Sequence, residues 1–527
     1  MRGSKSSYRR RIENSWTTDD GKRAIIDIGS NTVRMVVYGG SPRAPHILAN
    51  EKVTARLGRE LSQTGRMADE AVNLALEGLG RFALILKDLQ IDDVETVATA
   101  AVREAENGPE FIAKLADMGF QVRVISGEEE ARTSALGVLG AFPGTSGVVA
   151  DLGGGSLELI SVAPDGPGEG GTAPLGTLRL AALRDNGDDK FQSRVAKALK
   201  KIGWQDAVGG NLFLVGGTWR TMAILAMRLQ GHPLSDPHGL RVDGATALKL
   251  AKRTAKSTPE ELKTIPRVSS MRAQILPDAA ALLVCLLKVL KPDNLIFSAW
   301  GLREGLLYQR LTDAERGRDP LLAGISLFAG QHGTPPTLAT RIAAWTMDAI
   351  APTRNSSERL RLAATMLALA SLQVEPNLRL QQAVDWALYK RWLDVDDTGR
   401  AMMAMTVLAN AGEFEWPPML AELAPDEKLA EARIWGLAIR LCRRLGLQSR
   451  ASLQATQLRI AGKTLVLAFN ESHAALAVGQ ARKDLKNLAD CLDLSSEVRI
   501  LDNAEFAAFR DDAVTSGQSY REVSGAK

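Results

Sequence analysis

One pattern occurs twice in this chain: an apolar run that closes on an Asp, a turn of small residues, and a second apolar run. In the first copy Arg23–Ile28 leads through Gly29-Ser30-Asn31-Thr32 into Val33–Tyr38. In the second, Gly147–Leu152 leads through Gly153-Gly154-Gly155-Ser156 into Leu157–Val162. Short runs rich in Val and Ile, joined by such turns, predict β-hairpins. Their recurrence around Asp27 and Asp151 predicts an internal duplication, two α/β domains whose opening turns face each other.

The segments between fit that plan. His46–Val53 reads as a third strand, Ala68–Leu89 as a helix, Val94–Thr99 as a strand, Gly108–Met118 as a helix, Gln121–Ile125 as a strand and Gly127–Gly140 as a helix. Gly166–Gly171 reads as a flexible loop. Leu212–Val215 feeds Gly216-Gly217-Thr218 and a helix to about Leu229, and Asn294–Ser298 feeds Trp300-Gly301 and another helix. Both are strand–glycine turn–helix arrangements, which put ligands at strand carboxyl ends. Beyond Asp319 the texture becomes helical: Pro335–Ile350, Ser356–Leu372, Leu378–Trp392, Asp397–Asn410 and Asp426–Leu445 are amphipathic. A hairpin of Gln457–Ile460 and Thr464–Phe469 follows, then a long helix over His473–Leu492. The expected organisation is an N-terminal arm (1–21), two α/β domains (22–136 and 137–318) and a mostly helical module (319–527).

With 45% apolar and 24% charged residues, the 527-residue chain is neither mainly disordered, nor collagen, nor a simple coiled coil. Its longest nearly unbroken apolar stretches, Ala279–Leu287 and Leu362–Leu372, fall short of the roughly 20 residues that span a bilayer. No apolar segment follows the basic N-terminus as in a signal peptide. The expectation is a soluble cytoplasmic protein with no membrane partner. Cys285, Cys442 and Cys491 are far apart and read as core residues in a reducing compartment, and the scattered histidines start neither a zinc site nor a His-based triad. Residues 1–23 hold seven bases and three acids, which accounts for the whole net charge of +4. The arm reads as solvated, and no specific nucleic-acid partner is expected. A polyanion would have to be held by a local cluster of arginines and backbone amides, because the body has no global positive field.

Five groups of residues can carry chemistry. The Gly29-Ser30-Asn31-Thr32 turn offers hydroxyls and successive N–H groups suited to a phosphate, with Asp27 able to hold a water or a hydrated magnesium ion. The same residues also make an ordinary hairpin turn with Asx and ST hydrogen bonds. Gly153-Gly154-Gly155-Ser156 lets an oxyanion approach the main chain, as any tight turn of glycines would, and Glu158 can face the cleft with Asp151 or face solvent. Gly216, Gly217 and Thr218 open a helix whose free N–H groups favour anions, or form a turn that happens to start a helix. Ser126 with Glu129 at the third helical position predicts a capping box, and acids in a first turn are favoured by the helix dipole. One of Glu128, Glu129 and Glu130 could instead orient a water for in-line attack on phosphorus, because this helix starts where one α/β unit hands over to the next. Arg34, Arg56, Arg103, Arg272 and Arg303 lie near predicted element ends, and two or three of them are expected to face a ligand.

Taken in order, these segments resemble the exopolyphosphatase / guanosine pentaphosphate phosphatase (Ppx/GppA) family of the actin–Hsp70–sugar-kinase superfamily. The resemblance covers roughly residues 22–315. It adds Thr99-Ala100-Ala101-Val102-Arg103-Glu104-Ala105-Glu106-Asn107, Arg272-Ala273 with Ile275-Leu276-Pro277, and Gly301-Leu302-Arg303-Glu304-Gly305 to the motifs above. It implies two ribonuclease-H-like (actin/Hsp70-type) α/β domains flanking a cleft, a helical C-terminal module, and a magnesium-dependent enzyme. Such an enzyme removes the terminal phosphate from inorganic polyphosphate or from guanosine pentaphosphate. It further implies Glu130 as the carboxylate that activates water, and Asp151, Glu158 and Asp27 as the metal positions. Phosphate would be held by Ser30, Asn31, Thr32, Arg103, Gly153, Gly154, Gly155, Ser156, Gly216, Gly217, Thr218 and Arg272, and a homodimer is expected.

Two departures stand out. Leu157 occupies a position where the family commonly has Thr, so a phosphate contact is expected to change. Val374-Glu375-Pro376-Asn377 stands where an HD-type module would carry a His-Pro pair, and no His-Asp dipeptide occurs in the chain. The module therefore reads as a degenerate HD-like scaffold for binding and dimerisation that extends the channel for a long chain. The competing readings are a guanosine pentaphosphate phosphohydrolase, a kinase or ATPase of the same superfamily, and a non-catalytic sensor of polyphosphate or of guanosine penta- and tetraphosphate.

Overall fold

In the computed structural model, which describes residues 21–185, 187–350, 357–447 and 449–511, the chain divides into two compact units, Met1–Pro320 and Leu321–Lys527. Apart from Gly21, the expected N-terminal arm lies outside the described residues.

The first unit is built on side-chain alternation. Strand β1 (Arg23–Ile28) sends Ala24, Ile26 and Ile28 into one core and Ile25 into another, because successive residues of a strand point to opposite faces. It is central in a sheet of order β3-β2-β1-β4-β5, with β2 (Val33–Ser41), β3 (Ala44–Val53), β4 (Val94–Ala98) and β5 (Val122–Val124). β2 is antiparallel to both β1 and β3, and β4 and β5 run parallel to β1.

The second sheet repeats this plan. It comprises β6 (Gly147–Leu152), β7 (Leu157–Ala163), β8 (Gly166–Ala173), β9 (Asn211–Val215), β10 (Arg241–Asp243) and β11 (Asn294–Ser298), in the order β10-β11-β9-β6-β7-β8. Read from the other edge, β8-β7-β6-β9-β11 matches the first sheet strand for strand, and β10 is an antiparallel addition. The equivalence extends to single residues. Asp27 lies opposite Arg34 in the first hairpin, and Asp151 opposite Glu158 in the second. The Gly29 N–H donates to the Thr32 carbonyl at 3.1 Å, and the Gly153 N–H to the Ser156 carbonyl at 3.0 Å. This is the duplicated ribonuclease-H-like architecture of the actin class.

One expectation fails here. Gly166–Gly171 is most of the edge strand β8, bonded to β7, rather than a flexible loop. A Cβ on Gly170 would meet the Ile160 side chain at 2.7 Å, so the glycines let β8 lie close over β7.

Helices cover both faces of each sheet. α1 (Asp69–Asp88) packs Val72, Leu79, Phe82 and Leu86 onto the first sheet, each large side chain contributing about 1.5–3 kcal/mol of burial. α2 (Gly127–Ala141) follows β5 in the chain yet lays Ala131, Ala135 and Val138 against Val149 and Phe213 of the second sheet. α3 (Gly217–Leu229) and α4 (Ser270–Leu290) follow. α5 (Leu302–Gln309) follows β11 and lays Leu306 and Leu307 against Ile25, Val36 and Val97 of the first sheet. Each lobe therefore lends a helix to the other. α2 runs unbroken through residues 136 and 137, so the lobes are joined by a helix, not a linker. α4 is the one described helix long and apolar enough to cross a membrane by length and composition; two-thirds of its apolar window is buried within the unit, and it carries Arg272, Asp278 and Lys288.

The second unit has the expected amphipathic helices, among them Pro336–Trp345, Glu358–Ala370, Arg379–Tyr389, Asp397–Ala411 and Asp426–Arg444. The hairpin of β12 (Thr456–Ala461) and β13 (Thr464–Asn470) gains a third strand, β14 (Ser495–Leu501), parallel to β13. The long helix expected over His473–Leu492 is broken. Glu471–Leu476 is a 3-10 turn with His473 outside helical geometry, and the α-helix proper spans Gly479–Cys491 after an extended Val478. That helix is the crossover which a parallel β13–β14 pair requires.

Candidate active site

The turns of the two hairpins touch. A Cβ on Gly154 would lie 3.0 Å from Ser30 Cβ and 3.2 Å from the Asn31 nitrogen, and one on Gly155 would lie 2.9 Å from Ser30 Oγ. Only glycine admits so close an approach of main chain to main chain. Around them opens a cleft of about 270 Å³, lined by both turns, by Gly216-Gly217-Thr218 at the head of α3, and by the first turns of α2, α4 and α5. The lobes also meet through Arg179, which donates to Glu104 at 2.6 Å.

One wall is acidic. Glu130 sits in the first turn of α2, whose N-cap Ser126 accepts from the Glu129 N–H at 3.1 Å. The reciprocal half of the expected capping box does not form, because the Glu129 carboxylate pairs with Arg123 instead. Glu130 is left buried at the cleft, its Oε2 3.5 Å from Arg103 Nη1. Asp151 accepts from Ser134 Oγ at 2.5 Å, and Glu158 accepts from Thr172 Oγ1 at 3.0 Å. Burial, then the charges of Glu158 and Asp151, raise the Glu130 carboxyl well above its ordinary range. Burial, then Asp151, push Glu158 up to about 8, against the hydroxyls of Ser156 and Thr172. Burial also raises Asp151, with the Ser134 hydrogen bond opposing it.

Basic groups line the same cleft. Arg34 donates Nε to Asn50 Oδ1 at 2.7 Å, with Lys52 beside it on β3. Arg272, at the start of α4, donates to Thr218 Oγ1 at 2.6 Å. Arg220 donates to the Ala299 carbonyl at 3.3 Å. Arg303 lies with its Nη1 3.7 Å from Asp27 Oδ2. Asp27 is raised by burial, with Arg303 and Arg34 pulling it down.

A divalent cation suits the acidic wall. The Oε2 atoms of Glu158 and Glu130 are buried without a hydrogen-bond partner, and the raised carboxyls mark an excess of negative charge that a cation would relieve. Asp151 lines the cleft with Glu158 opposite it on β7, behind the lining, while Asp27 is paired with Arg303. No cluster of three or more such residues forms a self-sufficient cage among the described residues. Magnesium needs none, since it binds through one or two carboxylates and completes its shell with water and substrate phosphate.

Of the residues singled out from the sequence, the cleft brings together Asp27, Ser30, Asn31, Thr32, Glu130, Asp151, the Gly153–Ser156 turn, Gly216, Gly217, Thr218 and Arg272. Arg103 and Glu158 stand behind the lining: Arg103 donates to the Ile125 carbonyl at 2.7 Å, and Glu158 is 1% exposed. Of the five arginines, Arg34, Arg272 and Arg303 line the cleft, whereas Arg56 does not; its N–H donates to the Asn31 carbonyl at 3.1 Å and braces the first turn. Leu157 is fully buried opposite Leu152, off the lining, so the missing hydroxyl removes no group from the wall. Lys52, Thr54, Thr177, Arg220 and Ser269 also line the cleft and were not singled out as ligands. Arg220 follows the Gly216-Gly217-Thr218 motif closely enough to have been included. Lys52 had no local signal, because only pairing of β3 with β2 brings it beside Arg34.

Residues 36–314, more than half of the chain, match the family model of the Ppx/GppA phosphatase family. Among solved structures, a Ppx/GppA enzyme from Aquifex aeolicus is similar at 26% identity, covering 55% of this chain and 99% of that one, with a TM-score of 0.48. An exopolyphosphatase from Cytophaga hutchinsonii is similar at 24% identity, covering 55% of this chain and 97% of that one, with a TM-score of 0.49.

Proposed function

The chain belongs to the Ppx/GppA phosphatase family, hydrolases of phosphoric anhydrides, and from that premise we propose that it is an exopolyphosphatase that releases orthophosphate from the end of inorganic polyphosphate. One observation carries this reading: two touching phosphate-type turns in a cleft lined by both carboxylates and guanidiniums. Phosphoryl transfer asks the protein mainly for positioning and charge neutralisation. The turn amides and hydroxyls, with Arg34, Lys52 and Arg272, supply both for the terminal phosphates. Asp151 and Glu158 would hold magnesium, which when bound neutralises charge on the transferring group. Glu130 takes the proton of the attacking water. Burial raises its carboxyl above the ordinary glutamate range, which makes it a stronger base once ionised.

The lining consists of small, polar and charged groups with a few aliphatic ones, and no aromatic ring contributes to it among the described residues. That wall suits an inorganic chain better than a stacked guanine. The free cysteines Cys285, Cys442 and Cys491 are in keeping with a cytoplasmic setting.

The test is phosphate release from long-chain polyphosphate with magnesium, with Glu130→Gln assayed in parallel and guanosine pentaphosphate as a second substrate. Release from polyphosphate that falls roughly a hundredfold or more in the variant is the expected result. Release from the nucleotide alone would replace the proposed substrate, and equal rates for the two proteins would remove Glu130 from the mechanism.

A further inference from the structure

Arg303 occupies a particular place in the duplication. α5 is to the first sheet what α2 is to the second, and both bring their first turns to the cleft. The first turn of α2 delivers Glu130 to the side of Asp151. The first turn of α5 delivers Arg303 to Asp27, the residue equivalent to Asp151. The guanidinium is held by charge: its separation of 3.7 Å from Asp27 Oδ2 is an ion pair too long for a hydrogen bond. Its Nε is buried without a hydrogen-bond partner.

Behind it lies a rigid support. Tyr38 Oη donates to Glu304 Oε1 at 2.6 Å, while Glu304 Oε2 accepts the Gly301 N–H at 3.1 Å and caps α5. A guanidinium that lines the cleft with donor capacity left over is suited to an anion.

The geometry points to Arg303 as a residue that grips the terminal phosphoryl group, with Asp27 as its counter-ion and the Tyr38–Glu304 pair as the support that positions it. This inference rests on the phosphatase reading and deepens it: the second half of the duplication becomes a phosphate clamp rather than a second metal site. A guanidinium fits that task because its planar fork can bind two phosphate oxygens at once.

Binding without turnover separates the possibilities. In a Glu130→Gln background, calorimetry with tripolyphosphate and magnesium is expected to show binding, and adding Arg303→Met is expected to weaken it at least tenfold. Adding Asp27→Asn to that pair is expected not to restore affinity. Equal affinity without Arg303, or restoration by Asp27→Asn, would overturn the inference, because a mere counter-ion becomes dispensable once its partner is neutral. If Arg303→Met does not fold, Arg303→Lys carries the test: a compact ammonium keeps the charge but loses the fork, so a folded variant with undiminished affinity would also overturn it. Tyr38→Phe is expected to raise KM for polyphosphate several-fold with kcat little changed, and an unchanged KM would remove the positioning role. No binding even with Arg303 present would sink the phosphatase reading itself, and this inference with it.

Discussion

Where β1 sets Asp27 opposite Arg34, β6 sets Asp151 opposite Glu158. Where the first turn of α5 brings Arg303, that of α2 brings Glu130. Apart from β10, the strand plan of the two halves is the same, down to a Gly N–H closing each turn on the carbonyl three residues later. The charges are opposite: one half gathers three carboxylates, the other balances a single Asp with two guanidiniums. A symmetric fold thus supplies two equivalent sockets, and side chains alone make one suited to a cation and a water and the other to a phosphate. Hydrolysis of a phosphoanhydride needs both at once, and a cleft between duplicated lobes brings them together.

The largest expected contrast comes from the same substitution in the two halves. Glu130→Gln should cost phosphate release about a hundredfold or more, whereas Glu304→Gln, which weakens a cap and the Tyr38 hydrogen bond, should cost no more than about tenfold together with some thermal stability. Equal losses in kcat would dissolve the distinction between the halves. Making the halves alike is the next step: Arg34→Glu reproduces in the first hairpin the acid pair of the second, and should raise KM for polyphosphate about tenfold or more while kcat falls less. A variant with unchanged KM would show that Arg34 meets no phosphate.

Acidity offers a gentler test. The carboxyl of Glu158 is raised to about 8 in the folded protein, so its protonated form contributes stability that is complete below the ordinary glutamate range and is lost as pH rises through about 8. In metal-free buffer the Tm should therefore decline between pH 5 and 9, and Glu158→Gln should flatten that decline. In the metal-free protein the Glu130 carboxyl should titrate above the ordinary carboxylate range, and magnesium should lower it. Removing the Glu158 charge should move that metal-free titration to lower pH; a titration that stays in place would mean Glu158 does not act on Glu130. The smallest effect is expected of Leu157→Thr, which alters the core rather than the wall: phosphate release within about threefold of wild type, with a lower Tm from the buried hydroxyl.

Much of this was legible in the chain. Two Asp-ended strands with small-residue turns declared the duplication, since period-two alternation and turn chemistry are local properties. The acids and glycines of the site were named for the same reason: each sits at the end of an element whose boundary the sequence marks. What failed was non-local. Glycines in Gly166–Gly171 spell a loop until β7 offers them a ladder, and Ser495–Leu501 is a strand only because a crossover helix returns it to β13. Arg103 and Arg56 look like neighbours of the cleft in sequence, but one is turned behind Glu130 and the other lends only its backbone. Residue order by itself determined that this protein has two like lobes and which side chains carry charge near their turns. Only the tertiary structure decided which charges face each other, because the pairing of Arg303 with Asp27, of Tyr38 with Glu304 and of Lys52 with Arg34 depends on strands and helices crossing from one lobe or strand to another. Electrostatic energy depends on those distances through space, and no local pattern of residues encodes them.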